Sequence, residues 1–168
     1  MSRMAALRLL LGVVSAALFT IMIWLGETRI APLVPNGDLL QAQVFGYDTH
    51  RLVSFMSALK GNPAEATYKA ILQWLDAGFI TTYAAFVFVM LWPHRRLALT
   101  LALLYAGLDL AENISLLQAL AAIPQSTGTS PPASGTWSLT GVITALKYAT
   151  LLTIALTVIW RWTKARHI

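Results

Sequence analysis

The sequence has no cysteine among its 168 residues, and charged residues make up only 11% of it. A chain without cysteine cannot form disulfides, bind zinc through thiolates, carry a cysteine-ligated iron–sulfur cluster or use CxxC redox chemistry. Its three histidines, His50, His94 and His167, lie outside the long apolar runs, which argues against haem held between histidines inside a membrane. The cofactor is therefore unknown, and haem, iron–sulfur clusters and thiolate-bound zinc are not expected.

Hydrophobic residues make up 57% of the chain, and its mean hydropathy is +0.65. These values are typical of an integral membrane protein, and the length fits a single domain over residues 1–168. The net charge of +5 would favour nucleic acid in a soluble protein. Here the basic residues lie mostly at the ends of apolar runs, where they orient a chain in a membrane. We therefore expect membrane lipid as a partner and no nucleic acid.

A transmembrane helix needs roughly 17 to 25 residues, most of them apolar, and four runs of the sequence meet this requirement. The first run follows Arg3 and Arg8 and has no small-residue cleavage motif, so we interpret it as an uncleaved span and not as a secretory signal. The second helix should begin outside the membrane at Pro63, with Asn62 as its N-cap and Glu65 completing a capping box. The sequence thus predicts an all-α integral membrane protein, an antiparallel bundle of four transmembrane helices, with spans at residues 9–25, 70–92, 97–122 and 139–160.

The charges predict how the four spans are oriented. The two chain ends and the turn between the second and third spans carry no acid but seven basic residues: Arg3, Arg8, Arg95, Arg96, Arg161, Lys164 and Arg166. By the positive-inside rule these segments lie in the cytoplasm, so both termini are cytoplasmic. The loop at residues 124–136 has no charge and is rich in Pro, Gly, Ser and Thr, and we expect it to be flexible.

The first extracytoplasmic loop is about forty residues long, more than a simple connection needs. Within it, apolar residues recur with the i, i+3, i+4, i+7 spacing of a short amphipathic helix, for which Thr49 is a possible cap. The stripe consists of Leu52, Phe55, Met56 and Leu59. This helix could either cover the ends of the bundle or gate a ligand.

The third span carries two acids and an amide at membrane depth. Asp109, Glu112 and Asn113 share one face of a helix with Tyr105, because residues three and four positions apart lie on the same side. Carboxylates inside a membrane are costly unless they are paired, protonated, hydrated or bound to a cation. An acidic face of this kind therefore predicts a functional site.

Two further spans carry a charge at a similar depth. Asp76 lies in the second span and Lys147 in the fourth, with Thr144 and Tyr148 beside Lys147 on the same helix. Counted at about 1.5 Å per residue, all these groups fall mostly in the outer half of the bilayer. We therefore expect Lys147 to lie within ion-pair distance of the acids of the third span.

The acids outnumber the base by three to one at this level. The excess could be met by protonation of one or two carboxylates, by water, or by a hard cation held by Asp109, Glu112 and Asn113. A purely structural interpretation stays open, in which ion pairs fix the packing of the helices and Asp76 is either hydrated near the outer interface or meets Lys60 or Lys69.

Several short stretches resemble a family of small four-span bacterial inner-membrane proteins of uncharacterised function. They are Val44–Asp48 (VFGYD), Ala58-Leu59 with Tyr68, Leu75-Asp76, Leu108–Asn113 (LDLAEN) and Thr144–Lys147 (TALK). The resemblance implies a bacterial inner-membrane location and a shared fold. It implies no reaction.

These observations predict a buried site that binds a lipidic or small polar ligand entering from the outer leaflet. In a catalytic version, Asp109 and Glu112 would exchange a proton as acid and base, and Lys147 would hold an anionic group. The other predicted ligand-binding residues are Asp76, Tyr105, Asn113, Thr144 and Tyr148. The alternatives are a small transporter coupled to protons or cations and an accessory subunit of a larger membrane complex; a homo-oligomer is also possible.

Overall fold

The structure is a computed structural model, and it describes residues 2–123 and 139–165. In these ranges the chain is helical and contains no strand. The α-helices are α1 (Arg3–Leu25), α2 (Thr49–Leu59), α3 (Pro63–Ala70), α4 (Asp76–Met90), α5 (Arg95–Ala122) and α6 (Thr140–Ala165). The predicted loop at residues 124–136 lies outside the described residues.

Two π-helical turns extend the helices. α1 continues through a π turn at Gly26–Ile30 and a 3-10 turn at Ala31–Leu33, and a π turn at Ile71–Leu75 joins α3 to α4. Four helical stretches are thereby long and apolar enough to cross a membrane, as the sequence predicts: Arg3–Leu33, Pro63–Met90, Trp92–Ala122 and Thr140–Arg161. The first of them begins at Arg3 and not at residue 9, because a helix starts at its cap and not at its first apolar residue.

Side chains cap three of the helices. The Ser2 hydroxyl accepts a hydrogen bond from the first turn of α1, and Asn62 accepts one from Ala64 N at the start of α3. Glu65 completes this cap by accepting from Gly61 N at 2.9 Å. The cap of α2 is Asp48 and not Thr49. Asp48 has an extended backbone, and its side chain accepts a hydrogen bond from the Arg51 N–H at 2.7 Å.

The long helices form a curved row. α1 packs against α4, α4 against α5, and α5 against α6, whereas α1 and α6 share no comparable contact. The first and last helices therefore stand at the two edges of the row, where a closed bundle would bring them together. The long helices have two ends along their axes. We call the end next to residues 26–62 the loop end, and the end with the turn at residues 90–95 the basic end.

Two apolar clusters lie at opposite ends of the long helices, one at the loop end and one at the basic end. At the loop end, the four stripe residues of α2 are buried and pack on α3 and α5, with Phe55 against Tyr68 at 5.4 Å between ring centroids. At the basic end, Val87, Leu101 and Ile154 join α4, α5 and α6. The charged residues of the second, third and fourth long helices lie between these two clusters.

A glycine pair fastens the loop to α6. Gly46 has a φ of +80°, and a Cβ added there would lie 2.2 Å from the carbonyl oxygen of Gly141. A Cβ added to Gly141 would lie 1.9 Å from the carbonyl oxygen of Tyr47. The two backbones touch directly, so neither position has room for a side chain.

Candidate functional site

An ion-pair trio lies at the centre of the structure. The Lys147 ammonium of α6 is 3.0 Å from Asp109 and also contacts Glu112, both on α5. All three side chains are buried, and Glu112 is fully enclosed. The predicted pairing of Lys147 with the third-span acids is confirmed. Two carboxylates face one ammonium here, so the fully ionised trio carries one net negative charge.

Hydroxyl groups complete the shells of both carboxylates. The Tyr105 hydroxyl donates to Asp109 at 2.5 Å, one helical turn away on α5. The Thr144 hydroxyl lies against Glu112 and is also 3.1 Å from the Thr140 carbonyl. Each carboxylate thus receives a hydrogen bond from the ammonium and has one hydroxyl neighbour. Buried charges need such partners to offset the cost of leaving water.

Asp76 lies apart from this trio. It is the first residue of α4, directly after the π turn, and only 7% of it is exposed. Its neighbour is the neutral amide of Asn113, which also donates to the Leu72 carbonyl inside the π turn at 3.4 Å. The Asn113 side-chain oxygen is buried without a hydrogen-bond partner. Among the described residues, no lysine or arginine forms a salt bridge with Asp76.

Of the two structural alternatives for Asp76, the contact with Lys60 or Lys69 is not formed. Both amines bind Glu65 instead, at 3.8 Å and 2.6 Å respectively. Glu65 lies one helical turn before Lys69, a spacing that favours this ion pair. Because Lys60 also lies beside Glu65, neither lysine pairs with Asp76.

A cavity of about 250 Å³ adjoins these acids. α4 and α5 form its floor, α1 and α6 form its sides, and loop residues 39–42 form its roof. The polar residues on its wall are Gln41, Asp76, Asp109 and Lys147, and the aromatic ones are Phe19, Tyr68, Phe79, Tyr105 and Tyr148. The remaining lining is aliphatic, so the polar groups of α4, α5 and α6 share the cavity with an apolar wall from α1.

The edge helices α1 and α6 both line the cavity but are not packed together, so we infer that it opens sideways between them. Phe19 and Ile23 line it, yet they are 50% and 45% exposed on the outside of the row. Gln41 fixes the roof, because its carbonyl accepts from the Tyr148 hydroxyl at 2.7 Å and its side chain accepts from Tyr68 at 3.4 Å. The lateral opening follows from the lack of extensive packing between the edge helices.

The structure divides the sequence-predicted site residues into two groups. Five of them line the cavity: Asp76, Tyr105, Asp109, Lys147 and Tyr148. Glu112, Asn113 and Thr144 lie behind this wall and do not line it. Of the predicted acid–base pair, only Asp109 is therefore placed to touch a ligand, and Glu112 acts through Lys147.

Lys147 and its acids leave little scope for two predicted roles. The ammonium already gives two of its three hydrogen bonds to carboxylates, which offset its charge, so it is poorly suited to hold an anionic group as the catalytic hypothesis requires. It also lies between Asp109 and Glu112, where a hard cation would have to lie. Within residues 2–123 and 139–165, no three histidine, aspartate or glutamate side chains are grouped to hold a metal.

Three lining or neighbouring residues were missed at the sequence level. Gln41 lies in a single 3-10 turn at Leu40–Ala42, where no periodicity indicates burial, and Tyr68 belongs to α3, before the predicted span of residues 70–92. The Tyr47 hydroxyl is buried without a hydrogen bond, and burial together with the nearby Glu112 carboxylate raises the pKa of Tyr47. The FGYD stretch was the available signal for Tyr47, since it places the tyrosine directly after Gly46.

Comparison of the chain with protein-family models, with curated proteins and with solved structures found no match. The resemblance to small four-span bacterial proteins therefore stays a prediction. What the site does must be argued from its own geometry.

Proposed function

We propose that the four long helices cross the inner membrane of a bacterium with both termini in the cytoplasm. The four stretches are long and apolar enough to do so, and they alternate in direction, which brings both chain ends to the basic end. Arg8, Arg95 and Arg161 belong to that end, and the Arg8 guanidinium donates to the Val89 carbonyl at the end of α4. The positive-inside rule then places the loop end outside. The bacterial inner membrane is inferred from the resemblance alone.

Within this frame, the protein binds an amphiphile from the membrane. The observation that carries the proposal is a cavity whose wall holds two buried carboxylates and apolar α1 residues, and which lies between the edge helices α1 and α6, where these are not packed together. A polar head would lie at Asp76 and Asp109, and an apolar chain would leave past Phe19 and Ile23 into lipid. Apolar pockets with a few convergent polar groups are the usual form of small-molecule sites.

The cavity size fits part of a lipid. Its volume of about 250 Å³ is just below the roughly 300–1,000 Å³ of pockets that enclose drug-sized ligands. A head group and the first carbons of a chain fit inside, and the rest of the chain would lie along the groove between α1 and α6. This size supports a single-chain amphiphile or one chain of a lipid.

Binding is better supported than transport. A transporter needs access from both sides of the membrane, but the apolar cluster of α4, α5 and α6 fills the basic end, with Val87 and Leu91 1% exposed. A purely structural role would explain the ion pairs of Lys147 with Asp109 and Glu112. It would not explain Asp76, whose carboxylate is on the cavity wall and forms no salt bridge among the described residues.

The test is to fill the cavity and measure what the protein retains. Leu151 lines the cavity, whereas the next residue, Leu152, is 60% exposed on the outside of α6. We would reconstitute wild type, Leu151→Trp and Leu152→Trp with bacterial polar lipid extract and measure bound amphiphile by native mass spectrometry. We expect wild type and Leu152→Trp to retain it and Leu151→Trp to lose it. Equal retention by both variants, or none by wild type, would overturn the proposal.

A further inference from the structure

The charge of the cavity wall indicates which head group it accepts. Lys147 is the cation on the described wall, and its ammonium is already bound by Asp109 and Glu112. Asp76 adds a further carboxylate that is more than nine-tenths buried, forms no salt bridge among the described residues, and has the neutral Asn113 amide as its hydrogen-bond neighbour, with Asp109 and Lys147 also acting on it through their charges. The wall therefore has too little positive charge to balance its carboxylates. An uncompensated buried carboxylate is costly, so a cationic ligand would be stabilised here.

The tyrosine hydroxyls of the wall are also in use as donors. The Tyr105 hydroxyl donates to Asp109, and the hydroxyls of Tyr148 and Tyr68 donate to Gln41. A phosphate or carboxylate head needs several free donors, but the three tyrosine hydroxyls are already bonded and Lys147 gives two of its three N–H donors to carboxylates. The carboxylate oxygens, by contrast, are acceptors.

Three rings of the cavity lining, Phe19, Phe79 and Tyr105, form a continuous strip with Tyr83, which does not line the cavity. Phe19 stacks on Phe79 with 5.6 Å between centroids, Phe79 stacks on Tyr83 at 5.5 Å, and Tyr83 meets Tyr105 edge-on at 4.9 Å. This strip runs from the lateral opening on α1 to the residue that binds Asp109. Ring faces attract cations, and aromatic residues are the usual recognition elements for quaternary ammonium groups.

We infer that the cavity selects amphiphiles whose head carries a positively charged nitrogen, a primary amine or a quaternary ammonium, with Asp76 as the residue that determines this specificity. The inference rests on the proposed function, since it names the ligand class of the same cavity. The nitrogen would lie between Asp76 and the rings of Phe79 and Tyr105. The same group could come from a simple amine or from a zwitterionic head whose phosphate lies nearer the opening.

The experiment compares four probes with the same ten-carbon chain: decyltrimethylammonium, decylphosphocholine, decanol and decyl phosphate. Binding to the intact protein in a non-ionic detergent is measured by the rise in melting temperature at increasing probe concentration. We expect decyltrimethylammonium to bind at least tenfold more tightly than decanol, and decyl phosphate to bind more weakly than decanol. Decylphosphocholine separates the two sources: binding as tight as that of the simple cation points to a zwitterionic lipid, and weaker binding points to an amine.

Asp76→Asn should remove the preference for the cation and leave decanol binding unchanged, while the control Asp38→Asn, on an exposed loop acid, should bind all probes like wild type. If Asp76→Asn does not fold, Phe79→Leu gives a second reading: it should weaken decyltrimethylammonium more than decanol. Binding of decanol or decyl phosphate as tight as that of the cation would overturn the charge inference and leave the cavity proposal standing. Failure of every probe to bind wild type would overturn the proposed function itself.

Discussion

At the scale of single residues, Lys147 decides whether the acids of α5 can be buried. Its ammonium contacts Asp109 and Glu112, and these two carboxylates are 1% and 0% exposed. Replacing a complete buried ion pair with apolar groups is often neutral, but removing one partner leaves a buried charge without compensation. The position of Lys147 is therefore worth more to stability than any surface lysine.

Lys147→Ala should lower the free energy of unfolding by roughly 3–5 kcal/mol, since it leaves two carboxylates without their cation. Lys69→Ala is the matched control: its amine pairs with Glu65 at 2.6 Å, but the side chain is 43% exposed, and exposed pairs contribute about 0–1 kcal/mol. Thermal unfolding in detergent gives the comparison. Adding Glu112→Gln to Lys147→Ala should recover part of the loss, and equal effects of the two lysine variants would contradict the assigned role.

At the scale of elements, the glycine contact between the loop and α6 holds the roof of the cavity in place. Gly46 and Gly141 meet backbone to backbone, and the roof residue Gln41 lies a few positions before Gly46. A side chain at either glycine would have to push the loop away from the first turn of α6. The roof and the hydrogen bond between Tyr148 and Gln41 would move with it.

Gly141→Ala should therefore destabilise the protein and loosen the loop, because its Cβ would meet backbone atoms that cannot rotate away. Gly107→Ala provides the control, since a Cβ there has nothing within 4 Å, and alanine improves helix propensity by up to about 1 kcal/mol. We expect a lower melting temperature and faster proteolysis between residues 39 and 47 for Gly141→Ala only. Similar behaviour of the two variants would show that the contact does not hold the loop.

The elements also show why some of the site could be predicted and some could not. The apolar stripe of α2 and the helical spacing of Asp109, Glu112 and Asn113 are local patterns, and equal depth then predicts the contact with Lys147. The π turn before Asp76 leaves no such pattern. Helices that are apolar all round also carry no signal for which face meets which neighbour, so the curved row and its lateral opening could not be derived.

At the scale of the whole molecule, the orientation in the membrane determines from which leaflet a ligand reaches the cavity. The roof of the cavity belongs to the loop end, and the basic residues mark the opposite end. With the proposed orientation, the opening between α1 and α6 faces the outer leaflet. The reversed orientation would give the same cavity access to the inner leaflet, so topology and ligand source are linked.

Because the sequence has no cysteine, single cysteines can report this orientation without a background signal. Asp38→Cys lies in the exposed loop of the loop end, and Arg96→Cys lies at the start of α5 at the basic end. In intact cells with a permeabilised outer membrane, a membrane-impermeant maleimide should label position 38 at once. Position 96 should react only after the inner membrane is broken, because the proposed orientation places the end with the basic residues in the cytoplasm. Labelling of position 96 before lysis, with position 38 protected, would reverse the orientation and move the cavity opening to the inner leaflet.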